Sequence, residues 1–185
     1  HIMGVQTLIL VEDNIRYYSS FLPIIYREVM NHSRRVIEEG INVSNKHLRQ
    51  RARPKIIHCT NYEEAWEYYE KYHETVLGII SDIEFPRKGE IDREAGIKFA
   101  RQVHRRHPDI PVLLHSSRPS NQQKALAEGF QFFFKGSPTL LEDLRQFVVN
   151  HLGFGDFVFR LPDFTEVGRA HDLVSLEKEI KRVPI

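Results

Sequence analysis

The chain has 185 residues, of which 41% are hydrophobic, enough apolar material for one full core without disulfide or metal staples. Its net charge of +1, from 26 basic and 25 acidic residues, creates no global field that calls for nucleic acid or acidic lipid. No apolar run approaches the roughly 20 residues that span a bilayer, and no signal-peptide pattern is present. The single Cys59 excludes an intramolecular disulfide framework and fits a reducing compartment, so a cytoplasmic protein is expected. His1-Ile2-Met3-Gly4 reads as an expression remnant, with the natural chain starting at Met3.

Strand-like and helix-like segments alternate along the chain. Gln6–Val11 is an apolar strand that runs into Glu12-Asp13. Asn14 is a favoured cap residue, and Ile15–Glu39 then carries Tyr18, Phe21, Leu22, Ile25 and Val29 at helical spacing. Pro23 predicts a kink or a division inside that helix. Gly40–Arg53 is polar and basic, without interleaved aromatics, and reads as a solvated loop rather than a nucleic-acid surface. Lys55–Cys59 is a second strand. Asn61 caps a helix to about Glu74 with Ala65, Trp66 and Tyr69 near one face.

Val76–Ser81 is a third strand, ending at Asp82. A polar loop is expected over Glu84–Arg93, then a helix over Glu94–Arg106 that Pro108 stops. The cluster His104-Arg105-Arg106-His107 suits a helix C-terminus, where cations meet the negative end of the dipole. Ile110–His115 is a fourth strand, leading to Ser116-Ser117. Ser120–Glu128 is a short helix closed by Gly129, Phe130–Phe134 is a fifth strand ending at Lys135, and Thr139–Leu152 is the last helix. Ten histidines are present, but none forms a pair at a recognised zinc spacing.

Short apolar runs between helices are strands buried on both faces, as in a parallel sheet. The expected fold is α/β: a doubly wound, five-stranded parallel sheet in the order 2-1-3-4-5, with helices on both faces and a C-terminal extension. The strand order reverses between strands 1 and 3, and ligands of such sheets sit outside the carboxyl ends at that point. Glu12, Asp13 and Asp82 converge there, with Lys135 one edge away. Carboxylates packed together repel, and a hard cation such as Mg²⁺ relieves them. Asp13 and Asp82 are the expected direct ligands, Glu12 acts through a water, and the backbone carbonyl of Glu84 completes the set. A cation that bridges a carboxylate and a phosphoryl group also favours in-line transfer. Asp82, as an exposed strand-end carboxylate, is the expected nucleophile, with Lys135 as the phosphate's partner and a hydroxyl of Ser116-Ser117 as donor.

These pieces together resemble the receiver domain of two-component response regulators. The matching segments are Val11-Glu12-Asp13-Asn14, Ser81-Asp82 with Pro86 and Gly89 beyond it, Pro111 through Ser117, and Gly129 through Lys135. The likeness covers roughly Gln6 to Leu152, giving a receiver-like, flavodoxin-like domain over 5–152 and an extension or linker over 153–185. The resemblance implies that Glu12 and Asp13 hold Mg²⁺. It also implies that Asp82 is phosphorylated, that Ser116 moves towards the phosphate, and that Lys135 pairs with it. Phe132, three residues before the lysine, falls at the switch aromatic. Glu84 and Arg118 flank the route of attacking water, and an ion pair between them would slow hydrolysis. A histidine kinase or histidine phosphotransfer protein is the implied phosphodonor. The face of helix 4, strand 5 and helix 5 is the implied surface for a homodimer or effector.

The chain departs from the family at Gly136, where a proline is usual. The linker before strand 2 and the loop after Asp82 are also longer than usual. Two rivals follow: a receiver fold used only for docking, never phosphorylated, and an aspartate-nucleophile phosphatase using Glu84 as its second acid. In the tail, Phe154, Phe157, Val158, Phe159 and Leu161 form an apolar cluster, and Asp172–Arg182 reads as an amphipathic helix. The pattern around Asp172-Leu173, Leu176-Glu177 and Val183-Pro184 faintly resembles the link from receivers to phosphoenolpyruvate-synthase-like domains. The tail is too short for a helix-turn-helix, so no nucleic-acid partner is expected within this chain.

Overall fold

A computed structural model of the chain describes residues 5–40, 54–152, 157–160 and 166–170, together with residues 175, 178, 181 and 182. The first strand is β1 (Thr7–Val11), followed by α1 (Ile15–Gly40), β2 (Lys55–Cys59), α2 (Tyr62–Tyr72) with a 3₁₀ turn over His73–Thr75, and β3 (Val76–Asp82). Next come β4 (Phe85–Arg87), β5 (Glu90–Asp92), α3 (Ala95–Arg106), β6 (Val112–Ser116), α4 (Ser120–Ala127), β7 (Gln131–Phe134) and α5 (Leu140–His151). In the tail, β8 (Phe157–Arg160) and β9 (Glu166–Ala170) pair antiparallel. The expected basic loop at 41–53 lies outside the described residues, as does most of the expected tail helix. Within that helix, residues 175, 178, 181 and 182 are helical.

The main sheet has five strands in the order β2-β1-β3-β6-β7, all parallel. This is the expected doubly wound 2-1-3-4-5 arrangement. Side chains alternate faces along each strand. Leu8, Leu10, Ile80 and Leu113 face α1 and α5, where they pack with Phe21, Ile25, Leu144, Phe147 and Val148. Ile9, Val11, Ile57, Ile79 and Leu114 face the other way, against Ala65 and Tyr69 of α2 and Phe99, Ala100 and Val103 of α3. An ion pair between the buried Glu28 and the partly exposed Arg145, at 3.2 Å, ties α1 to α5.

The helix starts follow from local chemistry. Asn14 accepts the Arg16 amide at 3.0 Å, and Asn61, in extended backbone, accepts the Glu64 amide at 2.9 Å. Pro23 lies inside α1, which runs through it without a break in the helix. The polar loop expected after Asp82 is instead a β-hairpin. Phe85, Pro86 and Arg87 pair with Asp92, Ile91 and Glu90, and the turn residues Lys88 and Gly89 both have positive φ, 55° and 82°. Two such residues make the turn whose twist matches antiparallel strands. Asp92 anchors the hairpin to α3 by accepting from Lys98 Nζ at 2.8 Å and from the Glu94 amide at 2.9 Å. Among the described residues, no helix is long and apolar enough to cross a membrane.

Candidate functional site

Strand register assembles the site. Val11 lies level with Ser81, so the next residues, Glu12 and Asp82, leave the sheet side by side. Asp82 lies level with His115, and Ser116 with Phe134, which brings Lys135 to the same edge. Continuing the alternation, Glu12, Asp82, His115 and Lys135 all turn towards the α1–α5 face. The backbone locks the edge: Glu12 N donates to Cys59 O, Ile83 N to His115 O and Lys135 N to Ser116 O, at 2.9–3.0 Å.

Lys135 Nζ lies 2.5 Å from Asp82 Oδ2 and 2.6 Å from Glu12 Oε2, joining the two carboxylates. It also sits 4.2 Å from the centre of the Tyr17 ring, whose π face suits a cation. The second oxygen of Asp82 accepts the Ile83 amide at 2.7 Å and the Glu84 amide at 3.3 Å. The second oxygen of Glu12 accepts the Asn14 amide at 3.0 Å. Asp82, expected to be exposed, is only 6% exposed, and the surroundings of its carboxylate are polar rather than hydrocarbon.

Burial dominates the electrostatics. It raises Glu12 from an ordinary 4.5 to about 7, aided by the negative charge of Asp82 and opposed by Lys135. Burial also raises Asp82, against Lys135 and the two amides. Desolvation works to lower Lys135, but Asp82 and Glu12 outweigh it and hold the ammonium above its ordinary value. The edge is a pair of carboxyls, each pushed up by burial and drawn back by the one ammonium between them. His115, pushed well below its ordinary value by burial and then by Lys135, is a neutral imidazole.

A second polar group closes the far side. Arg118 Nε lies 2.9 Å from Glu84 Oε1. The buried Asn121 donates from Nδ2 to Glu84 Oε1 and to Ser116 Oγ, each at 3.0 Å. The Arg118 amide also donates to Ser116 Oγ, at 3.1 Å.

No family model matches the sequence, and no curated protein matches it. Solved structures do. A response regulator receiver domain protein from Clostridium thermocellum superposes with a TM-score of 0.54 at 12% identity, over 80% of this chain and 95% of that one. The CheX–CheY–BeF3–Mg²⁺ complex from Borrelia burgdorferi holds another match, with a TM-score of 0.50 at 13% identity, over 79% of this chain and 90% of that one. The chain has the receiver fold.

Within this receiver fold, the residues expected from the sequence divide into three groups. Glu12, Asp82 and Lys135 meet directly. Arg118 meets Glu84 and Ser116 directly, and Asn121 bridges those two. Asp13 is exposed and stands one residue beyond the buried cluster. Phe132 is half-buried in β7 and packs against the α2–α3 side of the core, away from Lys135. Two residues escaped sequence reasoning. His115 read as one more residue of a core strand, although a histidine in an apolar run was a signal. Asn121 sat unremarked in the first turn of α4. Cys59 is buried and inert, its thiol pushed up to about 12 by burial.

Proposed function

We propose that this chain is a phosphoacceptor receiver of a two-component phosphorelay. Asp82 takes a phosphoryl group from a histidine kinase or histidine phosphotransfer protein in the cytoplasm. The observation that carries this reading is Lys135 Nζ, 2.5 Å from Asp82 Oδ2 and 2.6 Å from Glu12 Oε2, at the switch point of a doubly wound sheet. A buried ammonium held between two carboxylates is pre-positioned for a phosphoryl oxygen that arrives on one of them.

The chain's own groups divide the work. The Ile83 and Glu84 amides fix one oxygen of Asp82, which orients the other towards the donor. That oxygen bonds to phosphorus as the donor's nitrogen leaves with the bonding electron pair. Lys135 then exchanges the carboxylate for a phosphoryl oxygen. Ser116 Oγ accepts from Asn121 and from the Arg118 amide, so its own proton is free to be donated to the phosphoryl group. Phe132 is half-buried in β7, and we assign it the switch role, following Ser116.

The carboxyls fit a hard divalent cation. Glu12 and Asp82 are buried together at raised pKa, and the exposed Asp13 and the Glu84 carbonyl can complete an all-oxygen set. Bound Mg²⁺ supplies charge neutralisation on the transferred group. The changed surface is α4, β7 and α5, where a partner protein or second copy docks. The phosphatase alternative is weaker, because Glu84 Oε1 is already taken up by Arg118 and Asn121. The docking-only alternative draws on the low exposure of Asp82.

Incubation with a small acyl phosphate and Mg²⁺, followed by intact-mass spectrometry, tests the proposal. One added phosphoryl group, absent when Mg²⁺ is chelated before the donor is added and absent in Asp82→Asn, is expected. No adduct favours the docking module. Catalytic turnover of a phosphomonoester favours the phosphatase.

A further inference from the structure

We infer that the cleft at the end of β3 also takes a borderline first-row transition-metal dication, such as Co²⁺ or Zn²⁺, through Glu12, Asp82 and the imidazole of His115. This builds on the carboxylate cluster of the receiver reading and adds a nitrogen ligand to it.

The decisive observation is His115 itself. It is 1% exposed, and neither Nδ1 nor Nε2 has a hydrogen-bond partner. Buried polar atoms are nearly always paired, so two orphaned nitrogens on one ring call for a reason. Packing supplies none: Phe21 meets the ring edge-on at 5.2 Å and offers no acceptor. Nδ1 instead points at the acids, 3.6 Å from Glu12 Oε2. One donor atom each from Glu12, Asp82 and His115 lie within 4.8 Å of one another. One ion with bonds of about 2.0–2.2 Å holds its ligand atoms at most about 4.4 Å apart, so these three need draw in only slightly to meet it.

An imidazole changes which ion the cleft prefers. Mg²⁺ takes oxygen donors, whereas imidazole suits Zn²⁺, Co²⁺ and their neighbours. Lys135 competes for the same oxygens, so the dication must displace it from at least one. The Tyr17 ring, 4.2 Å from Nζ, gives the ammonium a seat when it yields.

Calorimetric titration of the intact, metal-stripped chain tests this. Co²⁺ should bind at least about tenfold more tightly than Mg²⁺. In His115→Leu that preference should collapse while Mg²⁺ affinity stays within about threefold, since its donors are oxygens. The visible absorption of bound Co²⁺ should change in the same variant as nitrogen leaves the ligand set. Lys135→Met should tighten Co²⁺ binding. An unchanged Co²⁺ preference and spectrum in His115→Leu overturns the inference, because the ion would then sit on other histidines or on carboxylates alone. If that variant misfolds by circular dichroism, ¹⁵N-histidine-labelled wild-type chain titrated with Zn²⁺ decides: a shifted His115 Nδ1 supports the site, an unmoved one rejects it. These readouts are separate from phosphorylation. Acyl-phosphate labelling without His115-dependent metal binding rejects this inference alone, and the converse rejects the receiver reading alone.

Discussion

The carboxyl of Glu12 is fully buried, next to the Asp82 charge, and this makes its protonation part of folding. An acid whose folded pKa is raised contributes stability that is present below its unfolded pKa and is lost as pH climbs to the folded one. For Glu12 that window runs from 4.5 to about 7. The loss across it is at most about 3 kcal/mol, and Asp82, raised in the same direction, adds to the slope. Urea unfolding at pH 5 and pH 8 should show wild type losing stability with pH, and Glu12→Gln losing distinctly less. Equal slopes would contradict this assignment. On the other side of the site, Arg118 and Asn121 hold Glu84 beside Ser116, and the proposed role of this group is to hinder water on its way to a phosphoryl group on Asp82. Glu84→Ala combined with Arg118→Ala should shorten the half-life of phosphorylated Asp82 several-fold in a chase without donor. An unchanged hydrolysis rate removes the gating role. The acids and the lysine were legible because each ends an apolar run. His115 and Asn121 were not, because their partners lie on other strands or loops and only strand register brings them together.

At the level of elements, the meeting of α3 with β3 sets where Asp82 sits. The Gly96 amide donates to Ile83 O at 3.0 Å, and a Cβ on Gly96 would fall 2.0 Å from the Asp82 carbonyl oxygen and 2.9 Å from Ile83 Cα. Both are backbone atoms that cannot swing away. Gly96→Ala should therefore cost about 2–3 kcal/mol in urea unfolding and weaken phosphorylation, by pushing β3 from α3. Gly89, at φ 82° with open space around it, limits only the turn of the β4–β5 hairpin. There alanine should cost about 1 kcal/mol without touching the site. The five long alternations, both asparagine caps and the Gly129 helix end were legible, because period and cap chemistry are local. The β4–β5 hairpin was hidden by its three-residue strands, its Pro86 and a turn opening on Lys88. Of the β8–β9 pair only β8 showed, as part of an apolar cluster, since pairing depends on a partner strand across a gap in sequence.

At the scale of the molecule, one sheet edge gathers the site: the carboxyl ends of β1, β3 and β6 and the residue after β7 supply the groups of the cluster. The apolar core reaches Leu152, which is buried beside Gly78 of β3; a Cβ there would strike its side chain. A chain ending after Leu152 should thus unfold cooperatively and still accept phosphate, which circular dichroism and the labelling assay can check. Loss of folding would make the tail part of the core. On the proposed function Asp82, held between Lys135 and two backbone amides, becomes an aspartyl phosphate. Borohydride reduction of the labelled protein, followed by peptide sequencing by mass spectrometry, tests it most directly, because it converts a phosphorylated aspartate to homoserine where it stands. Homoserine at position 82 is the predicted result. Intact Asp82, or homoserine at Asp13 or elsewhere, would contradict it.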